Sequence, residues 1–195
     1  MSVHVGIGGW TYEPWRGLFY PKGLPQTREL AYVGEHLTGT EINATFYRGQ
    51  SPASFAKWRD AVPQGFRFAL KGSRYCTNRK DLSEAGESVA RFMAQGLTEL
   101  GDKLGPINWQ LAATKKFDAA EIAAFLALLP GNHDGLDVRH AIEPRHESFD
   151  NLHSSTCAAR PQWPWCWPTR PSMQCWTRPT ARPSSMRACR MPVPS

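Results

Sequence analysis

Gly39-Thr40-Glu41-Ile42-Asn43-Ala44-Thr45-Phe46-Tyr47 is the stretch on which the fold turns. Thr40 and Ile42 are β-branched, Gly39 punctuates the start, and Ser51-Pro52 soon opens a helix, so the stretch begins as a strand and leaves it within a few residues. Side chains on a strand alternate between faces. Glu41 and Asn43 are therefore expected on one side and Ile42 on the other. A carboxylate, a carboxamide, a hydroxyl and a phenol close together at a strand's carboxyl end describe one wall of a pocket. Taken alone they equally describe a solvated edge.

The rest of the chain repeats the arrangement. Val3, Val5 and Ile7 alternate as a first strand closed by Gly8-Gly9, and an aromatic loop from Trp10 to Pro21 follows. Gln26 to His36 reads as a helix with Leu30, Val33 and Leu37 on its apolar side. Ser51 caps a second helix through Trp58, with Pro52 in its first turn. Phe66 to Lys71 is a third strand, and Asp81 to Leu100 a long helix with Val89, Phe92, Met93, Leu97 and Leu100 at helical spacing. Ile107 to Leu111 is a fourth strand, and Asp118 caps a helix through Leu129. Leu136 to Glu147 reads as a fifth strand that ends in charge.

Strands and helices alternating at these spacings make βαβ units with a parallel sheet, either a closed β/α barrel of TIM type or an open doubly wound sheet. Gly6-Ile7-Gly8-Gly9-Trp10 lacks the third glycine of a dinucleotide fingerprint and opens no helix. The barrel is favoured because polar residues gather at the carboxyl end of every strand, where β/α barrels build their sites. These are Trp10 and Tyr12, Glu41 and Asn43, Lys71, Gln110, and Glu143 with Arg145 and His146.

Composition bounds the partners. The 195 residues are 41% hydrophobic and 21% charged, as in one ordinary globular domain, and the formal charge of +6 invites a nucleic-acid reading. Its distribution argues otherwise. Residues 151–195 hold six arginines and no Lys, Asp or Glu, which leaves residues 1–150 with 17 basic and 17 acidic residues. No apolar run reaches the roughly 18 residues of a membrane span, and no signal pattern opens the chain, so a cytoplasmic location is expected. Cys76 alone of the five cysteines lies before residue 151, so neither disulfides nor a zinc site is expected in that body.

Two divisions are expected: residues 1–150 as the first part of a β/α barrel, incomplete after five strands, and residues 151–195 as an irregular tail. The tail has eight Pro and four Trp but no Gly, Ile, Phe or Tyr, and neither a strand nor an amphipathic helix is expected in it. Its codons suggest a cause. Across Gln162-Trp163-Pro164-Trp165-Cys166-Trp167-Pro168-Thr169, joining each codon's third base to the next two gives Val or Met, Ala, an apolar residue, Val, Leu, Ala and then Asp, Asn, His or Tyr. That is an apolar strand with a polar end. A frameshift between about Phe149 and Gln162 is therefore expected, leaving the chain truncated as a barrel, with open edges, poorly folded and inactive. A genuine Arg/Pro-rich tail that binds nucleic acid is the alternative.

Val5-Gly6-Ile7-Gly8-Gly9-Trp10-Thr11-Tyr12, Trp15-Arg16-Gly17, Phe19-Tyr20-Pro21, Glu41 to Tyr47, Phe66 to Lys71 and Glu143-Pro144-Arg145-His146-Glu147-Ser148-Phe149 together resemble the YecE-like family, a domain of unknown function, over about residues 3–149. The resemblance implies a barrel like the β/α barrel and longer than the part intact here. It implies no reaction. Ala112-Ala113 and Pro144 depart from the family's usual Pro-Pro and aliphatic residue.

The residues themselves suggest a chemistry. Glu41 and Glu143 are candidates for an acid/base pair across a barrel mouth. Lys71 and Arg145 suit a phosphate or carboxylate, Asn43, Tyr47 and Gln110 would orient hydroxyls or a carbonyl, and Trp10 and Tyr12 could stack on a sugar or base. His146 neighbours Arg145 on an alternating strand and is expected to face away. No metal is expected, and the sequence names no cofactor. The first reading is an enzyme acting on a small polar metabolite, phosphorylated or carbohydrate-like. A non-catalytic small-molecule binder is the second, and a nucleic-acid-binding protein the third, should the basic tail be genuine.

Overall fold

The computed structural model describes residues 3–149 and, as backbone alone, the strand Gln174–Thr177. In chain order the elements are β1 Val3–Gly8, α1 Glu29–His36, β2 Gly39–Ile42, α2 Ala44–Tyr47, α3 Pro52–Asp60, β3 Arg67–Lys71, α4 Arg74–Thr77, α5 Gly86–Met93, β4 Leu104–Gln110, α6 Ala119–Ala127, β5 Asn132–His133, β6 Leu136–Asp137, β7 His140–Glu143 and β8 Gln174–Thr177. Short 3₁₀ turns sit between several of them. Ser51 caps α3 through the amide of Ser54, and Asp118 caps α6 through the amides of Ala120 and Glu121.

The main sheet runs β7-β4-β3-β2-β1-β8. Its five strands from β1 to β7 are parallel, and each lies beside the sheet strand that precedes it in the chain. A doubly wound sheet would reverse direction at a switch point. This order has no reversal, so the sheet is the curled half of a β/α barrel.

Register divides the sheet into two chemistries. Ile42 pairs with Leu70, Leu70 with Ile107 and Trp109 with Ile142, and all five are buried. This face packs on the helices: Trp109 meets Phe92 of α5 with ring centroids 5.3 Å apart and Phe125 of α6 at 5.7 Å. The opposite face carries Glu41, Ala69, Lys71, Asn108, Gln110, Ala141 and Glu143, with Lys71 beside Asn108 and Gln110 beside Glu143. The helix side holds one contiguous core from Tyr20 to Phe149.

Several boundaries differ from the sequence reading. The long helix expected over Asp81 to Leu100 is three pieces: a 3₁₀ turn Leu82–Ala85, then α5, then a kinked 3₁₀ segment Leu97–Lys103. Gly96 breaks it, at φ +89°, where a Cβ would lie 2.6 Å from the Pro52 ring. The fifth strand is likewise split. Leu136–Asp137 pairs backwards on Asn132–His133 through Asp134 and Gly135, both at positive φ, and only His140–Glu143 enters the main sheet. Gly105-Pro106 holds an irregularity in β4, where Phe68 and Leu70 of β3 face Leu104 and Ile107. In the last forty-five residues, where no strand was expected, Gln174–Thr177 lies antiparallel on β1 and occupies that sheet edge. The rest of the tail, with the shifted-frame segment 162–169, falls outside the described residues. Among the described residues no helix is long and apolar enough to cross a membrane.

Candidate active site

β2 delivers Glu41 and β7 delivers Glu143 to the polar face, and both carboxylates are buried, 2% and 7% exposed. Asn108, two strands from Glu41 and next to Glu143, joins them. Its Nδ2 donates to Glu41 Oε1 at 3.0 Å and to Glu143 Oε2 at 2.9 Å. Two carboxylate oxygens on one amide atom identify that atom as the NH₂, whose two hydrogens serve one acid each. Its other atom, Oδ1, is buried and finds no hydrogen-bond donor among the described residues.

Glu143 gathers further donors. Gln110 Nε2 reaches Oε1 at 2.8 Å and Oε2 at 2.9 Å, while Arg145 reaches Oε1 through Nε at 3.1 Å and Nη2 at 2.9 Å. Burial pushes this carboxyl up. The hydrogen bonds from Gln110, Asn108 and Arg145, with the Arg145 charge, outweigh burial and hold it below the ordinary carboxylate value. Glu143 is thus an anion at neutral pH, with both oxygens accepting from its neighbours.

The opening stretch behaves differently from a simple strand. Asn43 has helical backbone (φ −74°, ψ −21°) and caps α2, so strand alternation stops at Ile42. It still arrives beside Glu41. A Cβ built on Gly8 would lie 3.7 Å from both Asn43 Nδ2 and Glu41 Oε2, and one on Gly9, at φ +85°, only 3.1 Å from Asn43 Nδ2. The two glycines leave the room in which the side chains converge. Asn43 Oδ1 is a second buried acceptor that no described residue satisfies.

The remaining predicted residues divide. Lys71 stands beside Asn108 in register with its Nζ 5.3 Å from the centre of the Phe46 ring, at the mouth where Thr45 Oγ1 donates to the Lys71 carbonyl at 2.7 Å. Arg145 is half exposed, and the edge of its guanidinium is committed to Glu143. Tyr12 donates to the Gly8 carbonyl and leans on Trp15, while Trp10 packs edge-on against Trp58 with centroids 5.7 Å apart. Tyr47 is largely exposed and meets Phe46. His146 Nδ1 lies 2.9 Å from Ser148 Oγ and accepts the Ser148 amide. So Glu41, Gln110, Glu143 and Arg145 come together, Asn43 and Lys71 flank them, and Trp10, Tyr12, Tyr47 and His146 make hydrogen bonds and ring contacts with other residues.

The sequence reading passed over Asn108. The signal was present: Asn108 precedes Gln110 by two, so both must share a face. Glu41 and Glu143 are the ligands a hard cation would use here, and among the described residues no third His, Cys, Asp or Glu joins them in a group.

Comparison with known proteins agrees with this architecture. The sequence model of the family described as "Protein of unknown function DUF72" matches residues 4–192. UPF0759 protein YecE of Escherichia coli K12 is 28% identical over 142 residues, which are 71% of this chain and 48% of that protein. The chain thus spans about half the length of the curated relatives it matches. A crystal structure of a DUF72 family protein from Enterococcus faecalis V583 superposes with a TM-score of 0.57 at 21% identity, covering 75% of this chain and 52% of that one, a likeness of fold.

Proposed function

This chain belongs to the DUF72 family, and from that premise we propose that its polar sheet face is the acid/base half of an enzyme site for a small polar metabolite, carbohydrate-like or phosphorylated. The observation that carries the reading is the buried Glu41–Asn108–Glu143 bridge, which ends in an unsatisfied acceptor. Two carboxyl groups that share one amide donor are near enough for such a pair to act together on one bond of a sugar. Glu143 serves as the base, because its donors favour the anion. Glu41 is its partner in proton transfer, and the orphan oxygens of Asn108 and Asn43 suit the hydroxyl donors of a polyol. Lys71 supplies a positive charge at the mouth.

The test is turnover against pH. A base that must be ionised gives kcat/KM an acid limb, and the donors on Glu143 place that limb below the ordinary carboxylate range. An acid limb near neutrality would remove Glu143 from the role. One observation favours a second reading, a binder without chemistry: the Arg145–Glu143 contact at 2.9 Å is also what a structural ion pair looks like. Under that reading Glu143→Gln changes binding and there is no turnover to lose.

A further inference from the structure

A second polar cluster lies beyond the end of β3. The chain leaves Lys71 through Gly72, turns at Ser73, whose Oγ accepts the Tyr75 amide, and forms α4. Arg74, Tyr75, Asn78 and Arg79, together with Ser88 of α5, line an open pocket of about 380 Å³. That volume falls within the roughly 300–1,000 Å³ of small-molecule sites. It contains two guanidinium groups, an amide, a hydroxyl and a phenol, and no carboxylate.

Its arginines are arranged without a direct ion pair to a described residue. Arg79 Nη1 donates to Ser88 Oγ at 3.1 Å and to the Tyr75 carbonyl at 3.5 Å, which orients the guanidinium and leaves Nε and Nη2 without partners among the described residues. The Arg74 guanidinium lies 5.4 Å from the centre of the Tyr75 ring. Neither arginine has a carboxylate of a described residue within ion-pair distance. The nearby Asp81 is engaged by the amide and hydroxyl of Ser83, and the charges of Lys115 and Arg79 also help to hold its carboxyl below the ordinary value. Two guanidinium groups outside ion-pair distance of any described carboxylate, with neutral donors beside them, fit a tetrahedral dianion, which accepts from several N–H groups at once.

We propose that this pocket binds the phosphate group of a small phosphorylated ligand. It lies past the carboxyl end of β3, the end of the sheet that also carries Glu41 and Glu143. The assignment stands on the geometry of the Arg74–Arg79 pocket and does not depend on the reading of Glu143.

The probe is inorganic phosphate, titrated calorimetrically into the full chain at low ionic strength. The expected result is saturable binding of one phosphate, weakened at least tenfold by Arg79→Gln and several-fold by Arg74→Gln. Arg79→Lys keeps the charge without the fork and should fall between wild type and Arg79→Gln. Arg91→Gln, on an exposed side chain of α5 paired with Glu87, should bind as wild type does. Arg74 is exposed, so Arg74→Gln decides the matter if Arg79→Gln does not fold. Glu143→Gln should leave phosphate binding intact, which separates failure here from failure of the acid/base reading. Absence of saturable binding, or equal weakening by Arg91→Gln and Arg74→Gln, overturns the proposal.

Discussion

Asn108 determines what the two buried glutamates can be. Its NH₂ donates to both, and a hydrogen bond to a charged group contributes about 1.5–3 kcal/mol. Asn108→Leu keeps the volume but removes both bonds, so we expect about 3 kcal/mol of lost stability at neutral pH, read from urea denaturation. Part of that loss should return as the pH falls and the carboxylates protonate. An unchanged midpoint would mean that the bridge holds nothing. Asn108 was legible only through its spacing from Gln110, because Trp109 between them draws the eye to the core. Glu41 and Glu143 were legible outright: an acid at the end of an apolar strand needs an explanation, and two of them need the same one.

His140 gives a second prediction at this scale. Its Nδ1 accepts from Trp109 Nε1 at 3.0 Å, so Nε2 carries the proton and donates to the Pro130 carbonyl at 2.8 Å. Burial lowers its pKa from 6.5 to about 4, with the Pro130 bond opposing. The unfolded chain therefore takes up a proton below about pH 6.5 that the folded chain refuses until about pH 4, and stability falls as pH drops through that window. Between pH 7 and pH 5 the loss should be about 2 kcal/mol. His140→Gln can make both hydrogen bonds without titrating, so its stability should change less over that range. Equal pH dependence in the two proteins would contradict this assignment.

At the level of elements, the parallel strands were readable and the long helix was not. Strands β1 to β4 announce themselves by β-branched or aromatic alternation and a glycine before or after. From Val89 to Leu100 the apolar residues keep helical spacing straight through a break, so periodicity alone cannot see it. Gly96 is the physical reason for the break. Its positive φ costs an L-residue about 1–2 kcal/mol, and a Cβ there would also press on Pro52 at 2.6 Å. Gly96→Ala should therefore lower the unfolding free energy by about 2 kcal/mol or more, measured by denaturant titration. A neutral effect would show that α3 and the turn move apart freely. The split of the fifth strand was hidden for a similar reason: Asp134-Gly135 is a good hairpin turn, but it lies outside the run Leu136 to Glu147 that reads as one strand.

On the scale of the whole molecule, strand order carries the argument from fold to site. Five parallel strands in chain order put every carboxyl end on one rim, so residues a hundred positions apart, such as Glu41 and Glu143, share one amide. The sequence contains that rim only as five separate polar strand ends. Register places Gln110 beside Glu143, and Asn108 bridges the two acids. The aromatic loop after β1 packs largely on itself, Trp15 against Phe19 and Tyr20, through ring contacts that stabilise it without a regular element.

The most direct test is Glu143→Gln against a panel of sugars, polyols and their phosphates. A compound that raises the melting temperature of the unsubstituted chain is taken forward, and binding and turnover are measured for both proteins. Glutamine keeps the shape but offers one acceptor oxygen in place of two, and it cannot take a proton. The account predicts binding within a few-fold of wild type and a fall in kcat of about 10²-fold or more, the range of general acid–base catalysis. Turnover by Glu143→Gln at a rate close to wild type would contradict it.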